Sequence, residues 1–321
     1  MTAVEWEREK RWHEEYDEWI RPHHSLVGWC VTNVPFRFGT ICFREPIYCE
    51  AHVESTQALA EALSIGYQRF FDFQRLEADN ARKSRELEEA RRLRLSMLPK
   101  QLPIHPHVDI AWHMETATEV GGDYYDYILT DDGMLTVVLG DATGHGMAAG
   151  VVVTAAKMLF QSFGHQPNMV ETFTAISRNF KGLNLKRMGI AMNMVKIKDH
   201  TMQVSSAGNP PVLLYRAAAN RVEEILIPGL PLGLSDMGRY EQQIFELAPG
   251  DTILLMSDGL PERFNSADEE FGYPRVEGLF ADVATEEPHE IVQRLIQGGE
   301  TWANNRLQDD DITLVVLKVK G

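Results

Sequence analysis

Leu135-Thr136-Val137-Val138-Leu139-Gly140-Asp141-Ala142-Thr143-Gly144-His145-Gly146 reads as an apolar strand that runs into an aspartate and then a glycine-rich turn. A helical pattern, Met147–Phe163, follows at once. A strand end holds a carboxylate rigidly, and a following glycine lets backbone approach an ion. The N-terminus of the next helix offers free N–H groups to an anion such as phosphate. Taken singly, the segment also reads as a helix-initiating turn capped by Asp141 or Thr143.

On both sides of this segment, strand-like runs arrive without a helix between each pair. They are residues 108–113, Asp123–Leu129, 134–140, 190–197, 202–206, Thr252–Met256 and Ile312–Val319. Amphipathic helical stretches cover Met147–Phe163, 170–179 and 289–304. Consecutive strands with few intervening helices predict an α+β domain, with antiparallel sheets and helices packed outside them.

Three more segments set an aspartate at the beginning or end of a predicted strand. They are Gly121-Gly122-Asp123-Tyr124-Tyr125-Asp126, Ser257-Asp258-Gly259-Leu260 and Asp309-Asp310-Asp311-Ile312-Thr313. Each alone reads equally well as a turn or a solvated acidic loop. Together they supply the carboxylate oxygens that hard divalent cations prefer. Carboxylates clustered in a fold repel one another and need compensating cations. A structural Ca²⁺ loop would concentrate its ligands in one short segment. Donors drawn from four distant segments suit an open catalytic site better.

In order, G-G-D-Y-Y-D, G-D-x-x-G-H-G, A-G-N-P-P, P-L-G-L, S-D-G-L and D-D-I-T resemble the motifs of the PPM family of metal-dependent protein phosphatases, and more closely its bacterial SpoIIE and RsbU branch. Leu95-Ser96-Met97-Leu98-Pro99 resembles the helix-ending motif that precedes that domain, so the resemblance covers roughly residues 90–321. It implies an α–β–β–α sandwich with two Mn²⁺ or Mg²⁺ ions between two antiparallel sheets. By position, Asp141 matches the aspartate that bridges both ions, and Ala142 matches the residue whose carbonyl is a ligand. Asp258 and Asp310 match ligands of the last two motifs, and Asp123 matches an acidic residue that binds directly or through water. Asp311 is the alternative to Asp310, which is preferred on the D-D-x-T pattern. Asn209 stands where the family often has histidine, a departure outside the ligand set.

The implied reaction is hydrolysis of phosphoserine or phosphothreonine by a water activated between the ions, with Asp141 central. His145 either approaches the phosphate or is simply a turn histidine. The implied substrate is a phosphorylated regulatory protein such as an anti-sigma-factor antagonist. The alternative function is a catalytically weak, regulated protein-binding module of the same fold. A cysteine-phosphatase mechanism is excluded from this domain, because Cys30, Cys42 and Cys49 all precede it.

The chain divides by pattern into a sensor-like or remnant regulatory segment (1–50), a helical linker (51–103) and the phosphatase domain (104–321). The first segment predicts a helix over 4–20 and strands within 26–34 and 40–43. The linker has one glycine, Gly66, and no proline before Pro99, and it predicts one long helix or two stacked ones. From Phe73, the positions Leu76, Asn80, Lys83, Leu87, Ala90 and Arg94 step by threes and fours. Asn80, Lys83 and Arg94 spoil this heptad seam, which leaves a dimeric coiled coil and packing on its own domain both open. Residues 66–74 resemble a helix that often ends a GAF-like sensor module, and a continuous helix could carry a change of state to the site.

With 321 residues, 44% of them apolar, the chain can bury a large core. Its net charge of −16 excludes nucleic acid and anionic membrane surfaces as partners. No apolar run is long enough for membrane insertion, and the charged start lacks a signal-peptide pattern, so a cytoplasmic protein is expected. Three cysteines and no C-x-x-C pair argue against a disulfide framework, or a zinc site with His23 and His24, and for buried thiols on strands.

Overall fold

The computed structural model describes residues 30–45, 47, 49–117, 121–144, 146–185, 188–235 and 238–321. The helix expected over 4–20, and His23 and His24, lie outside the described residues. The chain forms two compact units divided between Ser84 and Arg85. That division falls inside a single 48-residue helix, α1 (Glu50–Met97), the longer of the two forms left open by the sequence.

In the first unit, β1 (Cys30–Phe36) and β2 (Gly39–Glu45) form an antiparallel hairpin. Phe38, at its turn, packs 5.7 Å from Tyr67 and 5.4 Å from Phe71, ring to ring, and so seats the hairpin on α1. Further along α1, two apolar positions are left open: Phe73 is 58% and Leu76 61% exposed. The cysteine expectation is corrected here. Cys42 is on β2 but exposed, and Cys49 is half-buried in the turn before α1, where its N–H donates to Glu45 Oε1 (3.1 Å). Both are free thiols.

The second unit holds two five-stranded sheets. Sheet I has the order β10-β7-β6-β5-β4, from β4 (Asp123–Leu129), β5 (Leu135–Ala142), β6 (Ile190–Lys198), β7 (Thr201–Ala207) and β10 (Gln242–Glu246). Sheet II has the order β3-β12-β11-β8-β9, from β3 (Val108–Glu115), β8 (Val212–Arg216), β9 (Arg221–Ile225), β11 (Thr252–Met256) and β12 (Ile312–Val319). Every pairing is antiparallel. Helices α2 (Met147–Phe163) and α3 (Met169–Gly182) cover sheet I, while α4 (Tyr273–Val283) and α5 (Pro288–Ala303) cover sheet II. The result is the α–β–β–α sandwich that the motifs implied.

Its layers explain the strand patterns. β5 is buried on both faces, one under α2 and one against sheet II, and it therefore reads as a continuous apolar run. On β4, Tyr125 and Tyr127 pack against Trp112 of sheet II at 5.2 and 6.0 Å, while Asp126 points to α2. A second cluster, including Phe280, Ile291 and Leu295, fills the space between sheet II and its helices. No helix among the described residues is long and apolar enough to cross a membrane.

Candidate metal centre

Three of the four acidic segments lie at the ends of inner strands, β5 of sheet I and β11 and β12 of sheet II; the fourth begins the edge strand β4. Asp123 begins β4 and Asp141 lies near the end of β5, and the two are direct partners in the ladder. Asp258 follows β11, and Asp310 precedes β12, which pairs with β11.

Asp123 is 1% exposed and is held by Ser257, whose Oγ donates to its Oδ2 at 2.8 Å. The same hydroxyl oxygen accepts from Thr313 N–H (2.9 Å), which ties β11, β12 and β4 together at the site. Asp311 is also buried, with a different role from Asp310. Its Oδ1 accepts from Ala117 N–H (2.8 Å), and its Oδ2 accepts from Asp123 N–H (3.3 Å). Those bonds use its carboxylate to fix backbone. Asp310 stays exposed on the rim, with Oδ1 accepting from Asp311 N–H at 2.8 Å.

Electrostatics shows how close the carboxylates lie. Burial, then the charges of Asp258, Asp310 and Asp311, push the Asp141 carboxyl up to about 8. Burial and the Asp141 charge push Asp123 well above the ordinary carboxylate range. Burial and Asp310 raise Asp258. Glu262, one turn past Asp258, is raised by burial and by Asp258, Glu270 and Asp310. Proteins carry this much uncompensated negative charge where a cation belongs.

Two glycines make the close approach possible. A Cβ on Gly122 would fall 2.8 Å from Asp141 Oδ1 and 3.0 Å from the carbonyl oxygen of Ala142. A Cβ on Gly121 would overlap Asp311 Oδ2. Gly122 thus leaves a cradle beside the Asp141 carboxylate and the Ala142 carbonyl. An all-oxygen donor set of this kind fits Mn²⁺ or Mg²⁺. Among the described residues, no three acidic, histidine or cysteine side chains close around one point by themselves. Waters would complete the shell, as they do for Mg²⁺ generally.

The capping alternative for Gly140–Gly146 does not hold. Helix α2 begins after Gly146 without any side-chain cap. Thr143 is occupied elsewhere: its Oγ1 accepts from Gly189 N–H at 2.9 Å, and its N–H donates to Gly189 O, also at 2.9 Å. The first N–H groups of α2 therefore remain available to an anion. His145 lies outside the described residues. Asn209 is buried and donates to Met256 O (3.3 Å) at the end of β11, so it braces the strand leading to Asp258.

Three supports carry no motif signal of their own. Ser257 is only a flank of Asp258 in the sequence. Asp126, inside a quoted motif, accepts from Tyr124 Oη, Lys157 Nζ and Gln161 Nε2 at 2.9, 2.8 and 3.0 Å, and fastens β4 to α2. Arg94 was noted only as a flaw in the heptad seam. It is buried, and its Nη2 donates to Asp123 O. A charged residue at an apolar seam position was the available signal.

Residues 131–320 match the family model described as Stage II sporulation protein E (SpoIIE). Phosphoserine phosphatase RsbU of Bacillus subtilis (strain 168) is 27% identical over 244 residues, covering 73% of this chain and 70% of that one. Phosphoserine phosphatase RsbP of the same organism is 22% identical over 185 residues, 55% of this chain and 45% of that one. The crystal structure of the RsbU and RsbW domains of a Mycobacterium tuberculosis protein is 27% identical, with a TM-score of 0.56 over 68% of this chain and 61% of that one. The SiaA-PP2C domain of Pseudomonas aeruginosa shares the fold, with a TM-score of 0.65 at 19% identity over 75% of this chain and 98% of that domain.

Proposed function

The chain belongs to the SpoIIE family, and we propose that its second unit is a metal-dependent phosphatase acting on phosphoserine and phosphothreonine of a regulatory protein. The observation that carries this reading is the convergence of Asp123, Asp141, Asp258 and Asp310 from distant segments, with burial and neighbouring carboxylates raising the carboxyls of Asp123, Asp141 and Asp258. Asp141, Asp258, Asp310 and the Ala142 carbonyl would hold two Mn²⁺ or Mg²⁺ ions, with Asp123 in contact directly or through water. Bound there, such ions lower the pKa of water and neutralise charge on a transferring phosphoryl group.

The remaining roles belong to the chain's own groups. Ser257 and Asp311 hold Asp123 and its backbone in place. The uncapped start of α2 faces the phosphate with N–H donors. For His145, outside the described residues, the proposed role is an approach to the phosphate or to the leaving group. The likeness to phosphoserine phosphatases RsbU and RsbP supports phosphoserine as the group removed, and the substrate that the motif resemblance implies is a phosphorylated anti-sigma-factor antagonist. Two free thiols suit the cytoplasm. The open apolar positions Phe73 and Leu76 of α1 support a homodimer through residues 51–98.

Phosphate release by the full chain tests the reading, using matched phosphoserine, phosphothreonine and phosphotyrosine peptides with Mn²⁺ or with EDTA. The expected result is Mn²⁺-dependent release that favours the first two. Mn²⁺ binding without turnover on any of them would favour a binding module of the same fold.

A further inference from the structure

The last turns of α1, which belong to the second unit, carry one cation into the acidic site. Arg94 is 3% exposed, and its Nη2 donates to the backbone carbonyl of Asp123. The guanidinium faces the charges of Asp311, Asp123 and Asp141. Its Nε and Nη1 are buried with no hydrogen-bond partner among the described residues. A guanidinium out of water with two idle nitrogens is unfavourable unless negative charge surrounds it. Around Arg94 burial weighs most, and the charge that offsets it comes from Asp311, which fixes backbone, and from Asp123 and Asp141, two of the carboxylates that a divalent ion would use.

We propose that Arg94 is the resident counter-cation of the carboxylate cluster, and that a divalent ion must displace its guanidinium in order to bind. The proposal rests on the reading of this cluster as the phosphatase's metal centre. One hydrogen bond and two unpaired nitrogens mean that charge, more than directed bonding, holds the side chain. A doubly charged ion attracts the same carboxylates more strongly and repels the guanidinium at short range. In the metal-free chain Arg94 relieves the repulsion between Asp123 and Asp141. In the loaded chain it is driven out, and the helix end that carries it loses an anchor. By linkage, any contact that pulls the end of α1 away from the site strengthens metal binding by the same factor that metal binding loosens the helix. The cationic side chain thus sets Mn²⁺ affinity below what the donor set alone would give.

The test is calorimetric titration of Mn²⁺ into the EDTA-stripped full chain, as wild type, Arg94→Gln, Arg94→Lys and, as a control, Asp141→Asn. Removing the positive charge should tighten binding about tenfold or more, while Arg94→Lys stays within about threefold of wild type. Asp141→Asn should bind far more weakly. Equal affinities for wild type and Arg94→Gln, with the Asp141→Asn loss intact, overturn the role of Arg94 and leave the metal centre standing. Binding that ignores Asp141→Asn overturns the metal centre, and this proposal with it. Tightening by Arg94→Lys equal to that by Arg94→Gln shows that shape and not charge matters, and also overturns it. The wild-type chain gives a readout independent of any variant's folding. Amide exchange over residues 91–97 should accelerate when Mn²⁺ saturates the protein, and unchanged exchange there overturns displacement.

Discussion

Asp123 and Asp141 are direct partners across the β4–β5 ladder, two carboxylates side by side on the face turned to the other sheet. Like charges opposite each other weaken a sheet even at its surface, and Asp123 is 1% exposed. No folding requirement explains that pairing, so it marks the place where stability is given up for ion binding.

Asp141→Asn removes one of the two facing charges and the raised carboxyl with it. In EDTA the variant should melt several degrees above wild type, while Mn²⁺-supported phosphate release falls about a hundredfold or more. Wild-type turnover in this variant contradicts the bridging role. An unchanged melting temperature contradicts the repulsion.

The pH dependence follows from the same shift. The Asp141 carboxyl is raised from 3.8 to about 8, so between those values the folded, metal-free state binds more protons than the unfolded one. Stability is therefore greatest at the acid end of that window and is lost as pH rises through about 8. Because an ion binds the deprotonated form, Mn²⁺ should flatten the decline, and its binding should release protons. Melting from pH 5 to pH 9 with and without Mn²⁺ checks the slope. Titration in buffers of different ionisation heat counts the protons.

Ser257→Ala takes away the donor to Asp123 Oδ2 and the acceptor for Thr313 N–H. Leaving both groups buried and unmatched should cost about 1–3 kcal/mol. With Asp123 free to rotate, the Mn²⁺ concentration for half-maximal activity should rise about tenfold. Chemical denaturation together with a Mn²⁺ activity titration separates the two effects.

Gly122→Ala forces a methyl group into the cradle beside Asp141 and the Ala142 carbonyl, and should weaken Mn²⁺ binding about tenfold. Gly133→Ala is the control: it sits at φ 81° with open space around its Cβ position, so it should cost about 1 kcal/mol of stability and leave Mn²⁺ affinity alone. Equal loss of affinity in both variants contradicts the cradle.

Self-association through α1 should depend on Phe73 and Leu76, which are 58% and 61% exposed. Leu87, at the same seam, is half-buried in the second unit and is a poor probe. Phe73→Glu with Leu76→Glu should halve the mass seen by light scattering, and an unchanged mass removes the seam as the contact.

The catalytic elements were legible where the chain has one period and one environment. Asp123–Leu129, Met147–Phe163, Thr252–Met256 and Ile312–Val319 have the bounds read from the sequence. Strands of five residues such as Arg221–Ile225 and Gln242–Glu246 were missed, because edge strands carry charge on their open side and leave little alternation to read. Helix α4 was missed because Gly272 and Pro274 at its start resemble a loop. The site's aspartates were visible in their motifs, but the distinction between Asp310 and Asp311 was not. It turns on which carboxylate accepts from backbone N–H groups, and those of Ala117 and Asp123, nearly two hundred residues away, bond to Asp311. The break in the α1 pattern at its end has a related cause. Arg94 breaks an apolar pattern because it answers to the acidic site and not to a partner helix.

Strand β4 is an edge strand with two unlike faces: Asp123, Tyr125 and Tyr127 toward sheet II, and Tyr124 and Asp126 toward α2. An in-frame insertion of one codon within it would exchange those faces, turning a tyrosine toward the carboxylate cluster and Asp123 toward the helix. The same insertion in the Thr130–Met134 turn would leave both faces as they are. Genes descended from this one can thus change length freely at that hairpin, while the preceding seven codons drift only by substitution.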